Sequence, residues 1–410
     1  MGAFSIALTG LKANAVALNT IGNNLANLNT VAFKGATTEF EDLFYQQLGE
    51  SGSGNALQSG LGTRVSGTVG DFSQGGLTTT NNATDMALNG DGFFVIQDHG
   101  QQQITRAGDF QLAKDGFLTT LDGASVMGFQ STDGVTVGTG GALAPIQLPI
   151  GSNQAASTTK NVTLKANLDS SAATGTTFAS SVSVYDSLGN THLASVKFTK
   201  TSNTTWNYDI ELPSGDISGT PSNNTGTLTF DSAGKLVGPS SNISGITFPG
   251  LTNSAADLSF NWSLYDTAGN GVISSSSSAS ATASTSQDGY ASGTYQNFSI
   301  DSNGIISAKY SNGRSSVVGQ LAIATVSDTQ GLTRVGNNAF ISSQASGLPS
   351  IGVAGAGGRG TVLGNSLEQS NVDIAGEFSR LIVAQRAFEA NSKTVTAYDT
   401  LTQSAINMIR

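Results

Sequence analysis

The chain has 410 residues, no cysteine and a formal net charge of −10 with no basic block. Disulfides, thiolate metal sites and cysteine nucleophiles are thereby excluded, and a nucleic-acid binder is disfavoured. Charged residues are only 11% of the chain, under half the usual share of about 25%, while glycine is abundant (51) and proline scarce (7).

The N-terminal segment reads as a helix. Phe4, Leu8, Leu11, Ala15, Leu18, Gly22 and Leu25 are spaced four, three, four, three, a heptad-like apolar stripe that Ile21 and Leu28 widen. Its other face carries Asn14, Asn19, Asn23 and Asn27 where a solvated helix carries Lys and Glu. Such a helix is marginal in isolation and suits packing on several sides. It is not a secretory signal, since Lys12, the only positive side chain before Lys34, lies inside the periodic stretch. Met1-Gly2 is not a myristoylation site either, because Ile6 stands where Ser or Thr is needed. If the chain is exported, the expected route does not cleave a signal peptide.

From about Gly60 to Leu363 the chain reads as β: short runs of Val, Thr, Phe and Ile alternate with turn signals. The turns share an Asp followed by Gly, as in Asp115-Gly116, Asp122-Gly123, Asp186-Ser187-Leu188-Gly189, Asp231-Ser232-Ala233-Gly234 and Asp301-Ser302-Asn303-Gly304. Glycine supplies positive φ there and Asp bonds the local backbone. Val184 to Asn190 echoes Leu264 to Asn270, which predicts two similar hairpins in one domain. No run approaches about 18 apolar residues, so no helical membrane span is expected.

Soft stretches at Gly49–Gly62, Gly138–Ser157, Ser274–Ser286 and Gly352–Gly360 nest around Ser157–Ser274. They predict an outer β-domain inserted into an inner one, with Ser274–Ser278 as a linker. The C-terminal segment returns to helix from about Asp373 to Met408. Phe378, Leu381, Gln385, Phe388, Val395, Tyr398, Ala405 and Ile409 form one face, and Asn371-Val372-Asp373 supplies a cap.

The expected fold is α+β, mainly β. A helical coiled-coil layer would come from residues 1–30 with 365–410, and a connecting segment from 31–70. An inner β-domain would come from 71–145 with 285–364, and an inserted outer β-domain from 146–284. No catalytic residue, cofactor site or metal site is expected. Asn89-Gly90-Asp91-Gly92 lacks the spaced ligands and distal Glu of a calcium loop. Gly355 to Gly360 lacks a phosphate loop's Gly-Lys-Ser/Thr ending, and no Gly-x-Ser-x-Gly elbow stands out. His99 and His192 sit beside turn residues and are expected at the surface, with no nucleophile partner.

Several long motifs carry a family likeness. Gly22-Asn23-Asn24-Leu25-Ala26-Asn27-Leu28-Asn29-Thr30-Val31-Ala32-Phe33-Lys34-Gly35 resembles the N-terminal signature of the bacterial flagellar rod and hook proteins. Gly364 to Asp373, with Gln385-Arg386-Ala387-Phe388-Glu389-Ala390-Asn391, resembles their C-terminal signature. Leu88 to Ile96 and Thr105 to Phe110 resemble their shared inner β-domain. The length, the insertion, and the stretches Gln287 to Gly293 and Tyr310 to Arg314 are similar to the hook branch of that family. One departure is Ala32, where the family commonly has glycine; alanine admits less positive φ and stiffens that turn.

The resemblance implies a structural subunit that leaves by the flagellar type III export apparatus. It would polymerise into a curved hollow helical tube joining rod to filament outside the cell and transmitting torque as a universal joint. Implied partners are the chain itself, as an open helical homopolymer, the distal rod protein, a hook cap protein and a hook–filament junction protein. The polymer interface would comprise Phe4, Leu8, Leu11, Leu18, Ile21, Asn23, Asn24, Leu25, Asn27 and Phe33 at one end. At the other end it would comprise Phe378, Leu381, Gln385, Arg386, Phe388, Asn391, Val395 and Tyr398. Gly60, Gly62, Gly140, Gly141, Gly357 and Gly358 would act as hinges. Rival readings are another axial component such as a distal rod protein, a secreted surface adhesin, and a secreted carbohydrate-active enzyme. Scattered Asp residues on turns do not suggest the paired carboxylates of the enzyme.

Overall fold

A computed structural model of the chain describes residues 3–50 and 56–408. It is mainly β, with helix α1 (Ala3–Ala26) and helix α2 (Ile374–Met408) near its two ends, and the two helices pack on each other. The α+β expectation is met. The chain divides into two compact units: residues 1–150 with 298–308 and 316–410, and residues 151–297 with 309–315. Residues 51–55 of the Gly/Ser stretch, and Ile409 of the predicted C-terminal face, lie outside the described residues.

In the first unit α2 starts where its cap predicts. The Asp373 carboxylate accepts the Ala375 and Gly376 amides at 3.2 and 3.1 Å, and Glu377 in the first turn pairs with Arg380 at 2.9 Å. Helix α1 has no acidic residue in its first turn and no basic one in its last, so packing must hold it. The connecting segment is not featureless. Ala36–Asp42 and Thr63–Gly70 form an antiparallel ladder from Ala36↔Gly70 to Asp42↔Thr63, which Tyr45–Glu50 and Ala56–Gly60 continue. Its first strand has no buried face, so it lacks the alternation by which strands are recognised.

The centre of this unit is the strand Phe93–Asp98. It pairs with Gln101–Thr105, with Ser125–Gln130 and with Ile323–Thr325. Because side chains alternate across a strand, Phe94 and Ile96 enter one core with Met86, Leu88, Phe110 and Leu321. Phe93 and Val95 enter another with Ile104, Phe129 and Phe340. A sheet covered on both faces explains why four consecutive apolar residues, Phe93 to Ile96, are all buried.

The second unit is a sandwich of two five-stranded sheets. One is an antiparallel meander of Thr177–Tyr185, Thr191–Lys200, Thr205–Glu211, Thr225–Phe230 and Leu236–Gly238. The other centres on Asn161–Asp169, flanked by Leu258–Ser263 and Ile273–Ser276 in parallel and by Ala281–Gln287 antiparallel. Strand Thr191–Lys200 alternates cleanly, sending Ala194, Val196 and Phe198 into a core with Trp206, Tyr208, Phe248 and Trp262. The turns follow one plan. Asp186, Asp231, Asp266 and Asp301 each accept two amides, at the second and fourth following residues, on one side-chain oxygen. The glycine three residues on has φ of +76° to +86° in all four. The echoing segments at 184–190 and 264–270 therefore share a turn, and both lie in this unit.

Two expectations need correction. Ser274–Ser278 is not simply a linker: Ser274–Ser276 belong to strand Ile273–Ser276, and the soft stretch beyond runs into strand Ala281–Gln287, paired along Asn161–Asp169. An edge strand is held by backbone pairing and needs no apolar side chains, which is why its composition reads as a linker. His192 is not at the surface. It is buried between Asp186 (3.1 Å) and Asp216 (2.8 Å), whereas His99 is exposed as expected. Among the described residues no helix is long and apolar enough to cross a membrane.

Candidate assembly site: the terminal helices and their junction

Helices α1 and α2 run antiparallel. A Cβ at Gly10 would come within 2.9 Å of Asn391, while Gly35, beyond the end of α1, sits against Val372, just before α2. The face of α1 turned into the fold is Ala7, Gly10, Ala13, Ala17, Ile21 and Asn24. This stripe of mostly small residues lets the backbones approach closely. Helix α1 also packs on the hairpin, where Thr38 donates to the Thr20 hydroxyl at 2.9 Å and the Thr63 amide to the Thr9 hydroxyl at 3.3 Å.

The predicted apolar stripe lies one residue round from the buried one. Leu11, Ala15, Leu18 and Leu25 are half-buried, Phe4 and Leu8 are exposed, and of the predicted α1 residues Ile21 and Asn24 are buried. Asn23 is exposed and accepts from the half-buried Asn27 at 2.9 Å. On α2, Leu381, Phe388, Asn391, Val395 and Tyr398 form the half-buried side, with Glu377 and Ala384 buried among them. Gln385 and Arg386 are exposed, Arg386 pairing with Glu389 at 3.1 Å. Phe378 is 51% exposed.

Sequence reasoning missed part of the exposed apolar set. Ile382 and Val383 stand out from α2, Val383 at 69% exposure, and Leu401, Ile406 and Met408 lie on a final stretch, 399–408, whose residues are all exposed. Those ten residues extend about 15 Å along the helix axis. A groove of about 490 Å³ between the helices and the hairpin is lined by Ala17, Ile21, Phe40, Arg380, Val383 and Ala384.

Below the helices the two signatures interlock. Asn24 clamps the turn: its amide donates to the Ala36 carbonyl at 2.8 Å and its carbonyl accepts the Ala36 amide at 3.0 Å. Phe33 is buried under the Arg334 guanidinium, 5.8 Å from its ring centroid, and Arg334 also donates to the Lys34 carbonyl at 2.8 Å. Asn338 donates to the Val31 carbonyl at 2.6 Å. Lys34 is 1% exposed; its ammonium donates to Glu368 at 2.5 Å and to the Ser73 carbonyl at 2.7 Å. Burial lowers the Lys34 pKa, opposed by the hydrogen bond and charge of Glu368. Glu368 also accepts the Gly75 amide at 2.9 Å and Arg106 at 3.4 Å. Asn371 accepts the Gly35 amide at 2.8 Å and donates to the Asp71 carbonyl at 2.9 Å.

Asn24 and Phe33 thus bind the subunit's own chain. Lys34 and Glu368 had no assigned role and Asn371 only that of a helix cap, although all three stand inside the quoted motifs; the signal was a lone lysine and a lone glutamate in a charge-poor chain. Ala32 donates to the Glu368 carbonyl at 2.8 Å and holds φ +54°, the left-handed region that suits the glycine expected there.

The six predicted hinge glycines differ. Gly60 is paired opposite Tyr45. Gly62, at φ +113°, fits so closely that a Cβ would collide with the Thr9 hydroxyl. Gly357 and Gly358 lie in a turn that Arg359 ties down through the Ile323, Ala356 and Ser350 carbonyls. Gly140 and Gly141 occupy an open turn, with none of the described residues packed on Gly140.

Paired terminal helices anchored in a β-rich body by both signatures are what define a flagellar axial subunit here. Family models agree: Flagella basal body rod protein matches residues 4–34, and Flagellar basal body rod FlgEFG protein C-terminal matches 363–408. Between them, Flagellar hook protein FlgE/F/G D1 domain matches 87–167 and Flagellar basal body protein FlaE D2 domain matches 152–290. The Flagellar hook protein FlgE of Salmonella typhimurium is 32% identical over 421 residues, covering 99% of each chain. That of Rhizobium meliloti is 32% identical over 418 residues, covering 100% of this chain and 99% of the other. The crystal structure of Helicobacter pylori flagellar hook protein FlgE2 shares the fold, with a TM-score of 0.52 at 16% identity over 70% of this chain and 98% of that one. The chain belongs to the flagellar hook protein family and is a hook subunit.

Proposed function

We propose that this subunit polymerises through its terminal helices into an open helical homopolymer, a curved hollow tube that joins rod to filament and transmits torque while bending. The observation that carries this reading is the unmatched apolar surface of the helix pair. Phe4, Leu8, Phe378, Ile382, Val383, Leu401, Ile406 and Met408 are exposed on the two helices, and the inward face of α1 is made mostly of small residues. Large apolar residues gathered on one element mark an interaction surface. A heterologous contact whose rotation does not close propagates as a filament.

In this reading the interface comprises the outward members of the predicted set, with Ile382, Val383 and the end of α2 added. Ile21, Asn24 and Phe33 shape it from within. The open turn at Gly140–Gly141 is the glycine joint with freedom to flex as the tube bends. Export through the flagellar type III apparatus, and contacts with the distal rod, cap and hook–filament junction proteins, follow from the same reading.

The test is Phe378→Ser with Val383→Ser in the full chain. Both side chains are more than half exposed, so thermal unfolding of the free chain is expected to be nearly unchanged. Sedimentation and electron microscopy under polymerising conditions are expected to show loss of the tubes that the unaltered chain forms. Tubes of normal yield from the variant would refute the assignment.

A further inference from the structure

Lys34 and Arg106 are two cations with side chains 1% and 5% exposed, and both pair with one carboxylate, Glu368, itself fully buried. What else each finds is small. Lys34 has the Ser73 carbonyl and the weaker charge of Asp71; Arg106 has the Gly90 carbonyl at 2.7 Å, the charge of Asp91 and the Phe93 ring at 5.5 Å, and its Nε has no hydrogen-bond partner among the described residues. Glu368 lies 334 residues after Lys34. A buried ion pair is weak evidence for stability, but a buried charge stripped of its partner is strongly unfavourable. Here one missing carboxylate strips two.

The backbone around the cluster follows the same dependence. The Glu368 carbonyl accepts the Ala32 amide at 2.8 Å and its carboxylate accepts the Gly75 amide at 2.9 Å. The Asn371 amide donates to the Phe33 carbonyl at 3.2 Å, and the Gln369 amide to the Gly76 carbonyl at 2.8 Å. Segments 32–35, 73–76 and 368–371 therefore close on one another around a single acid.

We propose that Glu368 is a coincidence latch. The N-terminal segment 32–35 cannot settle into the fold until segment 368–371 arrives with its carboxylate, so these two segments order together or not at all. A chain still emerging N-terminus first has Lys34 and Arg106 but no Glu368. It keeps its N-terminal segment out of the fold until the chain is nearly complete. The coupling is a property of the cluster and holds whether the ends order in the free chain or in the polymer, so it stands apart from the assembly reading.

The experiment is amide hydrogen exchange on the full chain, in whichever state, free or sedimented, protects the Ala32, Gly35 and Asn371 amides of the unaltered protein. Glu368→Gln is expected to speed exchange at all three by on the order of a hundredfold or more. The Val95 amide, in the covered sheet, should stay slow and certify that the core is folded. The triple variant Lys34→Met, Arg106→Met, Glu368→Leu removes the buried charges together and is expected to restore protection. In refolding of the unaltered chain, pulsed exchange should show Ala32 and Gly35 becoming protected no earlier than Asn371. Retained protection in Glu368→Gln, no recovery in the triple variant, earlier protection of Ala32, or no protection at the three amides in either state of the unaltered chain would each overturn the latch.

Discussion

Two equally buried alanines offer a controlled test of the strain at the turn after α1. Ala13, 3% exposed, lies mid-helix; Ala32, 1% exposed, holds φ +54°. At Ala13, replacement by glycine loses about 0.8–1.0 kcal/mol of helix propensity and about 0.8 kcal/mol for a buried methyl, a cost near 1.7 kcal/mol. At Ala32 the methyl again costs about 0.8 kcal/mol, and the freer unfolded chain adds about 0.4–1 kcal/mol. Against this stands relief of about 1–2 kcal/mol of left-handed strain. Ala32→Gly should therefore come out near zero, about 1–2 kcal/mol better than the same change at Ala13. Native-state hydrogen exchange reads each locally. The Ala17 and Ile21 amides should exchange roughly fifteenfold faster in Ala13→Gly, and the Ala32 and Asn371 amides little faster in Ala32→Gly. Equal losses at the two sites would show that no strain is stored at Ala32.

The close helix crossing makes Gly10→Leu an overpacking change costing about 1–3 kcal/mol, with α1 amides losing protection and Asn391→Ala restoring part of it. Gly10→Ala should be nearly neutral, because about 1 kcal/mol of helix propensity offsets a small shift of the Asn391 side chain; a large loss there would mean the Asn391 position is rigid. For His192, burial alone would lower the pKa, but hydrogen bonds to Asp216 and Asp186, with their charges, raise it above 6.5. Burial also opposes ionisation of Asp186, and hydrogen bonds from His192, Asn253 and Asn190 outweigh it, holding that carboxyl well below 3.8. The histidine's contribution to stability is thus complete below pH 6.5 and lost as pH rises through its folded pKa, and the aspartate's is present above 3.8 and lost on acidification. Titration of the His192 ring by NMR should give a midpoint above 6.5; one at or below it would refute the triad's charge, and His192→Gln should flatten the alkaline limb of the stability profile.

Much of the fold was legible because its signals are local. The Asp373 cap placed the start of α2 within one residue, and the Asp-x-x-Gly spacing gave four turns whose hydrogen bonds agree. What could not be read depends on neighbours far along the chain. The heptad stripe of α1 is real, but which side of it turns inward depends on the hairpin and α2 sharing the helix between them. Nothing near Lys34 names Glu368 among 28 acidic residues. His192 looked like a surface residue because its partners, Asp186 and Asp216, come from two different turns. Strand Ala281–Gln287 is defined by its partner's backbone and not by its own side chains.

On α1 small residues face in and large ones face out, which reverses the usual burial order and has a physical consequence. Within the subunit α1 gains close approach but brings little apolar area to the pair, and α2 covers Leu381, Phe388, Val395 and Tyr398 only in part, so the pairing contributes little by itself. Their position is set instead by the polar junction below, where Asn24, Lys34, Glu368 and Asn371 fix the backbone through directional bonds. Phe378, Val383, Leu401 and Met408 then remain exposed, and at the proposed interface burying each would stabilise assembly by about 1.5–3 kcal/mol for a full side chain, less in proportion to what is already covered. Directional bonds resist shear, whereas apolar contacts have no preferred direction and permit sliding. The proposed polymer would hold each subunit's ends rigidly to its own body while neighbours slip against one another, which is the combination a bending, torque-bearing tube requires.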